Sequence, residues 1–435
     1  MTGNSIDPDR NQGEPHANVS GLTETIDPVA ARNSNVAALM TFAAFLGLGF
    51  ALPFLPLFVQ ELGITDQADA AQWAGFLIGV GPLLAGLLAP FWGGLADRHG
   101  YKSVAVLALV AIGLGQVVAA LAVRPGHVLV SRILSGLFGG IGPLGLAMAS
   151  GHGVRGSGAS GSIGKIQAAQ ILAAGFGPLL GGALASGLGI RAAFWGASIA
   201  CLFAALVVGV LYIESPGARR AAAKAGEGSA PVPAGLFFAT LMFTVFFVNF
   251  AARSFTPILP AQLRMFGVAP SSLALNTGIL ISVYSIAAAA SSFGFGRLAS
   301  AVDPARPLVA TLLLSLLAAI WMAYVETFAG FLGVALLFGF VSGGSLTLGY
   351  SIGSRRFTEA SRGASFGKLS GAALIGGAVA PTVAAFVARW GLAGVYWMNA
   401  AIYGVLMVTA SGLRRAKSGS VPSPLTHKEP RPRTG

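Results

Sequence analysis

The sequence predicts an all-α membrane protein with twelve transmembrane helices, arranged as two pseudo-symmetric bundles of six. Composition is the first observation behind this fold class: 54% of the 435 residues are hydrophobic and only 10% are charged, whereas soluble domains carry about 25% charged residues. The second is a series of twelve apolar runs long enough to cross a bilayer. The third is that the second six runs repeat features of the first six.

The apolar runs divide the chain into five regions. Residues 1–35 are polar and aperiodic, and we predict a disordered tail there. Spans 1 to 6 form an N-terminal bundle at 36–213, a polar linker covers 214–234, spans 7 to 12 form a C-terminal bundle at 235–413, and a basic tail covers 414–435. In chain order, the predicted spans lie at about 36–60, 72–96, 103–123, 127–150, 164–187, 192–213, 235–262, 273–296, 307–325, 328–350, 364–388 and 393–413.

The distribution of Lys and Arg orients these spans, because positively charged loops stay on the cytoplasmic side of a membrane. If both tails are cytoplasmic, the connections on that side hold thirteen basic residues, and those on the other side hold only Arg124, Arg191, Arg264 and Arg389. The net charge of +12 therefore reflects topology and does not indicate a nucleic-acid partner. We predict a multi-pass protein with both termini in the cytoplasm.

An internal repeat relates the two bundles. The segment IGKIQAAQILAAGFGPLLGGALA of span 5 aligns with FGKLSGAALIGGAVAPTVAAFVA of span 11 at an offset of 203 residues, the separation of Pro178 and Pro381. Similarly, the run LPFLPLF in span 1, which contains Pro53 and Pro56, reappears as TPILPAQ in span 7. Duplicated apolar halves are typical of secondary transporters, which bind substrate between the halves.

The turn between spans 2 and 3 reads GGLADRHGYK, and its candidate latch residues are Gly93, Asp97, Arg98, Gly100 and Lys102. Glycine allows close helix approach, a carboxylate can cap or pair at a helix end, and cations favour the cytoplasmic face. The pattern resembles the loop signature of the major facilitator superfamily, although Tyr101 stands where that signature has a basic residue. The resemblance implies that these residues latch one conformation without contacting substrate. The alternative is an ordinary positively charged turn.

Two further patterns resemble the signatures of twelve-span drug:proton antiporters. In span 1, Gly47 is followed by Pro53 and Pro56, and proline predicts a kink because it breaks helical hydrogen bonds. In span 5, Ala173 replaces one glycine of the exporters' antiporter signature, whose other small and proline positions are Gly164, Gly177, Pro178, Gly181 and Gly182. Because small residues let helices approach closely, we expect this face to form a pliable contact between the halves.

Two arginines lie inside predicted spans. Arg132 and Ser135 in span 4 resemble the family's Arg-x-x-Gln-Gly element, with Ser135 in place of the glutamine. In span 7, Asn249 and Arg253 are one turn apart on one helical face. Intramembrane charges usually face a cavity or a partner, although either arginine could instead snorkel to the headgroups. We expect Arg132 and Arg253 to be buried cations that face one cavity, with further polar candidates at Gln170, Asn276 and Tyr284.

Acidic residues are missing from the middle of every span. All fifteen lie in tails, loops or span ends, whereas drug:proton antiporters commonly carry the proton on an intramembrane carboxylate. The sequence also has no phosphate-binding loop and no metal-binding spacing. We therefore predict no cofactor, no metal and no enzymatic activity. A substrate sensor or a membrane-embedded enzyme is supported by neither an added soluble domain nor a catalytic constellation.

Taken as a whole, the resemblance implies a monomeric antiporter of the major facilitator superfamily in a bacterial inner membrane. It would export a small amphipathic organic compound by alternating access between its halves, in exchange for protons. The residues leave a second function open, because two intramembrane cations without an embedded acid also suit a facilitator or exchanger for an organic anion. In that case Arg132 and Arg253 would contact the substrate.

Overall fold

The computed structural model describes residues 28–141, 144–145, 148, 157–214, 235–357 and 359–415. Most of both predicted tails, most of the linker and the second part of span 4 lie outside these ranges. The described chain contains eleven helices that are long and apolar enough to cross a membrane. Of span 4, helix Pro125–Leu137 and a few residues after it are described.

The first six spans contain helices close to their predicted positions. The longest described helix is that of span 2, and its 33 residues extend about 50 Å, which exceeds the roughly 30 Å hydrocarbon core of a bilayer. Asp66 caps the start of this helix by accepting a hydrogen bond from the Asp69 amide. The helices are Pro28–Ala51 with Leu55–Glu61 in span 1, Gln67–His99 in span 2, Tyr101–Ala120 in span 3, Pro125–Leu137 in span 4, Ser157–Leu188 in span 5 and Ile190–Leu211 in span 6.

The last six spans follow the same plan. Span 10 begins with a cap in which the Thr327 hydroxyl accepts a hydrogen bond from the Gly330 amide. The helices are Leu236–Ser254 with Leu259–Met265 in span 7, Leu273–Ala301 in span 8, Ala305–Met322 in span 9, Phe328–Ser354 in span 10, Glu359–Val387 in span 11 and Leu392–Arg415 in span 12.

The first helix starts earlier than predicted. It begins at Pro28, so the disordered tail does not extend to residue 35 as expected. The physical reason is a buried clasp: the Asn33 side chain donates to the Ile213 carbonyl at 2.8 Å and accepts from the Ile213 amide at 3.1 Å. Asn33 thereby ties the start of span 1 to the end of span 6, and the polar composition of this segment concealed its helical state.

Both proline pairs of the internal repeat break their helices in the same way. A short 3₁₀ turn, Leu52–Phe54, separates the two helices of span 1, and Thr256–Ile258 does the same in span 7. Pro53 and Pro257 lie inside these turns and are buried. The predicted kink in span 1 is therefore present, and the repeat reproduces it in span 7.

The bundle has two ends, which we name by position. The tail end is where span 1 begins, at Pro28, and span 12 ends, at Arg415. The distal end, at the opposite ends of these spans, carries the turn between Glu61 and Gln67. The C-terminal half has one apolar core, which also packs against Leu57 of span 1. The distal core of the N-terminal half includes Ala274 of span 8, so the halves share apolar contacts at the distal end.

Candidate functional site

The two halves meet along two seams at the distal end, span 5 against span 8 and span 2 against span 11. In the first seam, Gly278 of span 8 packs on the carbonyl oxygen of Pro178 in span 5, so closely that a Cβ at Gly278 would overlap it. In the second, a Cβ on Gly75 of span 2 would come within 2.5 Å of the carbonyl oxygen of Pro381 in span 11. The internal repeat pairs Gly75 with Gly278 and Pro178 with Pro381, so one contact is built twice with the halves exchanged.

Further close contacts extend each seam. A Cβ on Gly182 would lie 2.8 Å from the Ala274 carbonyl oxygen, and one on Gly175 would lie 2.9 Å from Cγ1 of Ile286. Across the second seam, a Cβ on Gly79 would overlap the carbonyl oxygen of Ala378. These seams are backbone against backbone, a spacing that glycine permits and a larger residue does not.

Polar contacts join the halves at the extreme distal end. Arg264 of span 7 donates to Oε1 of Gln60 at 2.9 Å. Arg389, after span 11, forms an ion pair with Asp69 of span 2. The Ser186 hydroxyl accepts a hydrogen bond of 3.0 Å from the Leu275 amide. Three polar contacts therefore join the halves at the distal end, in addition to the two seams: Gln60–Arg264, Asp69–Arg389 and Ser186–Leu275.

The same helices are apart at the tail end. On span 8, a Cβ at Gly294 would meet no atom within 4 Å, and the same holds for Gly367 and Gly371 of span 11. At Gly296, the atom it would approach belongs to Thr347 of the same half. Gly296, Gly367 and Gly371 continue the seam faces of Gly278 and Ala378 along their helices, and they meet no atom of the other half, whereas the seam residues nearer the distal end do. The central space between the halves is thus accessible from the tail end.

The glycine face of span 5 divides its contacts between two partners. Gly177 and Gly181 pack on the Gly49 and Phe50 backbone of span 1, within the same half, whereas Gly182 faces span 8 across the seam. We expected the whole face to contact the other half, but helical geometry turns successive glycines toward different neighbours. Gly47 packs against span 6, where its Cβ would approach the Ala197 oxygen at 3.0 Å. Pro53 and Pro56 are buried, and the surroundings of Gly164 lie outside the described residues.

Arg132 is sealed inside the N-terminal half. Its side chain is only 2% exposed, and its guanidinium Nη2 donates to Gln116 Oε1 at 2.7 Å and to Ser131 Oγ at 3.3 Å. Ser135, one turn away, is buried, and its hydroxyl has no hydrogen-bond partner in the described chain. Gln116 was missed by the sequence reasoning, although it is the one amide in the apolar helix Tyr101–Ala120. An amide oxygen at this depth partly compensates the buried charge.

Arg253 differs from Arg132, since its side chain is exposed. Both were expected to be buried cations that face one cavity. Burial is incorrect for Arg253, because the space next to it is open, and the shared cavity is incorrect for Arg132, because Gln116 and Ser131 enclose it. Its neighbour Asn249 donates to the Ala373 carbonyl of span 11. Gly377 of span 11 leaves the room that both side chains use, since a Cβ there would lie 3.0 Å from Asn249 Nδ2 and 3.4 Å from Arg253 Cγ.

Tyr284 of span 8 lies close enough to Arg253 to interact with it electrostatically. Its hydroxyl forms a 3.1 Å hydrogen bond with the hydroxyl of Ser342 in span 10, and its ring packs edge-on against Phe255 of span 7. Arg253 and Tyr284 are therefore neighbours within the C-terminal half, and the Tyr284 ring packs against its apolar core. Gln170 and Asn276 are half-buried, and Asn276 donates to the Ser272 carbonyl of its own helix at 3.0 Å.

The candidate latch turn is anchored by a residue that the sequence reasoning did not select. Glu214, at the end of span 6, accepts hydrogen bonds from the amides of Tyr101 at 2.7 Å and Lys102 at 3.2 Å. This places a carboxylate at the positive end of the span 3 helix. Gly100 has φ +93°, and a Cβ there would lie 2.7 Å from the Glu214 carboxylate, so glycine is required on both counts.

The other latch candidates form no described cross-half contact. Arg98 is exposed, and the side-chain surroundings of Gly93 and Asp97 lie outside the described residues. Residues 215–234 of the linker lie outside the described residues as well. At the tail end, the described contacts of this turn are therefore with span 6 of its own half.

Comparison with known proteins identifies a family and several relatives that share this sequence pattern. The Major Facilitator Superfamily profile matches residues 37–264 and 241–434. Multidrug resistance protein MdtG of Proteus mirabilis (strain HI4320) is 31% identical over 369 residues, which cover 83% of this chain and 91% of that protein. MdtG of Enterobacter lignolyticus (strain SCF1) is 29% identical over 299 residues, covering 68% of this chain and 71% of that protein.

Solved structures agree on the fold. A bacterial homologue of the human lysosomal transporter Spinster, in an inward-facing and occupied conformation, superposes with a TM-score of 0.74 at 17% identity, covering 91% of this chain and all of that one. The human organic anion transporter MFSD10 (TETRAN) gives a TM-score of 0.65 at 19% identity, covering 88% of this chain and all of that one. At these identities, the likeness concerns the fold alone. The chain belongs to the Major Facilitator Superfamily and is a multi-pass membrane transporter rather than an enzyme.

Proposed function

We propose that this transporter exports small amphipathic organic compounds by alternating access between its two halves. The observation that carries the proposal is the one-sided closure: Gly75 and Gly278 pack against the opposite half at the distal end, while Gly296 and Gly371 meet no atom of that half at the tail end. The substrate class is supported by the two relatives named multidrug resistance proteins, at 31% and 29% identity.

The distribution of basic residues supports a cytoplasmic tail end. The tail-end turns carry Arg98, Lys102, Arg355 and Arg356 among others. In this orientation the conformation described above is inward-facing, and a compound enters the central space from the cytoplasm. Since the two MdtG relatives come from bacteria, we place the protein in a bacterial inner membrane.

Export requires the distal seams to open while the tail end closes. Backbone seams suit this motion, because no interlocked side chains have to withdraw before the halves separate. The 3₁₀ turns Leu52–Phe54 and Thr256–Ile258 lie beside the seams, at the distal ends of spans 1 and 7. Helix breaks of this kind can absorb changes in backbone angle, and we assign them the role of hinges.

We further propose that export is driven by proton exchange. Everted membrane vesicles test this step, because a compound that is exported from cells accumulates inside such vesicles when the proton gradient is applied. Collapsing the pH gradient while the membrane potential is kept should abolish accumulation. Uptake that persists after this collapse would refute proton coupling and leave export itself standing. The control is vesicles carrying Gly278→Val, in which closure of the distal seam is destabilised.

The second candidate function is transport of an organic anion. Arg253 favours it, because its exposed guanidinium has no hydrogen-bond or ion-pair partner in the described part of the chain, and an unpaired charge within a span marks a functional position. Arg253→Gln should then weaken the affinity for anionic compounds while leaving neutral ones unaffected, and Arg253→Lys should restore part of it.

Arg132→Gln distinguishes the two arginines, since Arg132 is buried among Gln116 and Ser131 rather than exposed to the central space. Arg264→Gln is the matched control, because Arg264 lies at the distal end and binds Gln60. Unchanged affinity for every anionic compound in Arg253→Gln would exclude this second function.

A further inference from the structure

A groove crosses the seam between spans 2 and 11 on the outer surface of the bundle. Its volume is about 550 Å³, and its walls come from both halves: Gln72, Trp73 and Phe76 from span 2, and Thr382, Val383 and Phe386 from span 11. Both helices are membrane spans at this point. Small-molecule sites typically measure about 300–1,000 Å³ and are mostly apolar with a few polar groups, so the groove has the size and lining of a binding site.

The open side of the groove faces the lipid. Trp73 is 38% exposed, Phe76 44% and Phe386 52%, and these side chains lie on membrane-crossing helices. The molecules that reach such a surface are those of the bilayer. A cleft between two such helices would therefore be filled from the membrane and not from water.

The lining favours a hydrocarbon chain over a charged group. The nearest charges, Asp69 and Arg389, lie about one turn beyond the groove toward the distal end and are paired with each other. The two polar residues that line it, Gln72 and Thr382, are uncharged. With no unpaired charge available at the rim, the recognition surface consists of the three aromatic rings and Val383.

We propose that this groove binds one acyl chain of a phospholipid and that the bound chain stabilises the distal-closed state. The reason is geometric: the walls belong to different halves, so the groove is complete only while Gly75 packs on Pro381. A ligand that binds one of two states shifts the equilibrium toward that state. The chain is a state-selective ligand located outside the substrate pathway.

Quenching of tryptophan by brominated acyl chains tests the site. Two variants are compared, one that keeps Trp73 alone among the six tryptophans and one that keeps Trp195 alone, with phenylalanine at the other five positions. Trp195 is 42% exposed, close to the 38% of Trp73, but it lies on span 6, away from the groove. In nanodiscs containing brominated phosphatidylcholine, Trp73 should be quenched more strongly than Trp195, because a bound chain stays beside it.

A substitution remote from the groove that opens the distal end tests whether acyl-chain binding depends on the distal-closed state. Gly278→Val disrupts the other seam without touching the groove, and distance measurement between labels at the exposed positions 61 and 265 verifies the opening. The excess quenching of Trp73 should then disappear, while the quenching of Trp195 stays the same. Equal quenching of the two tryptophans in the closed state would overturn the site. Excess quenching that persists in a verified open state would overturn the state dependence.

Native mass spectrometry gives an independent measurement if the tryptophan variants fold poorly. Val383→Trp fills the groove and should lose a phospholipid that the unmodified protein retains, whereas Ile199→Trp, at a lipid-facing position that is 67% exposed, should retain it. Displacement of the lipid by an exported compound would identify the compound, and not the chain, as the occupant. The inference rests on the proposed alternating access only in the Gly278→Val experiment. Loss of lipid binding and loss of proton-driven export are therefore distinguishable outcomes.

Discussion

The two distal seams share one contact and differ in what surrounds it. Both place a glycine on a proline carbonyl oxygen, Gly278 on Pro178 and Gly75 on Pro381. Near Pro178, the sequence provides Gly177, Gly181 and Gly182, whereas the counterparts near Pro381 are alanines. The second seam instead has the Asp69–Arg389 ion pair and the lipid-facing groove. The contact preserved in both seams is therefore the structural requirement, and the surrounding residues are free to diverge.

The strongest way to break the first seam is Gly278→Val. The added side chain overlaps the Pro178 carbonyl, and overpacking of this kind destabilises the closed state by about 1–3 kcal/mol, roughly a fivefold to 150-fold shift toward the distal-open state. Label distances across the distal end measure the shift. Gly294→Val is the matched control on the same helix, because Gly294 faces open space. Equal shifts in both variants would show that span 8 responds to any bulk and not to the seam.

A second substitution tests whether the seam between spans 2 and 11 contributes as much to the stability of the closed state. Gly75→Ala brings a Cβ to 2.5 Å from the Pro381 carbonyl oxygen, and we expect the same shift in a smaller amount, since one methyl group is added. Distal label distances measure it, with Gly371→Ala as the control. Because the seams are on separate helix pairs, the free-energy effects of Gly75→Ala and Gly278→Ala should add. A double variant that shifts no further than either single variant would mean that one seam alone limits closure.

Substitutions at Gly181 and Gly182 of span 5 should distinguish an effect on fold stability from an effect on distal closure. Gly181→Ala overlaps Phe50 in the same half, whereas Gly182→Ala approaches the Ala274 oxygen of the other half at 2.8 Å. We expect Gly181→Ala to lower the melting temperature and Gly182→Ala to shift the closed state by about 1 kcal/mol with little change in melting temperature. Calorimetry and distal label distances distinguish the two. The reverse pattern would contradict the division of this face between spans 1 and 8.

The smallest effect is expected at the ion pair that distinguishes the second seam. The side chains of Asp69 and Arg389 are about half exposed, at 52% and 43%, and such surface pairs contribute about 0–1 kcal/mol. Asp69→Asn should shift the closed state only slightly, and high salt should remove the difference from the unmodified protein. A shift as large as that of Gly278→Val would show that electrostatic attraction, and not backbone packing, stabilises the second seam.

The sequence predicted the spans well because membrane helices are set by long apolar runs that neighbouring residues hardly alter. Start positions failed where polar residues carry the helix, as at Asn33, whose clasp with Ile213 joins residues 180 positions apart. The repeat offset of 203 residues also relates Gly75 to Gly278, but this correspondence became evident only in the structure, where each packs on a proline of the other half. The burial of Arg132 and the exposure of Arg253 depend on which face of each helix meets a neighbour, and a charge count within a span does not contain that information.

The backbone character of the seams separates two kinds of evolutionary change. The glycine and carbonyl groups of the two seams have no side-chain chemistry of their own, so a residue away from them such as Arg253 can be exchanged without altering how the seams pack. Diversification of the recognised compounds and preservation of the moving parts then proceed independently. For protein engineers, the cavity of this transporter is open to redesign, provided that Gly75, Gly278 and their two proline partners are left intact.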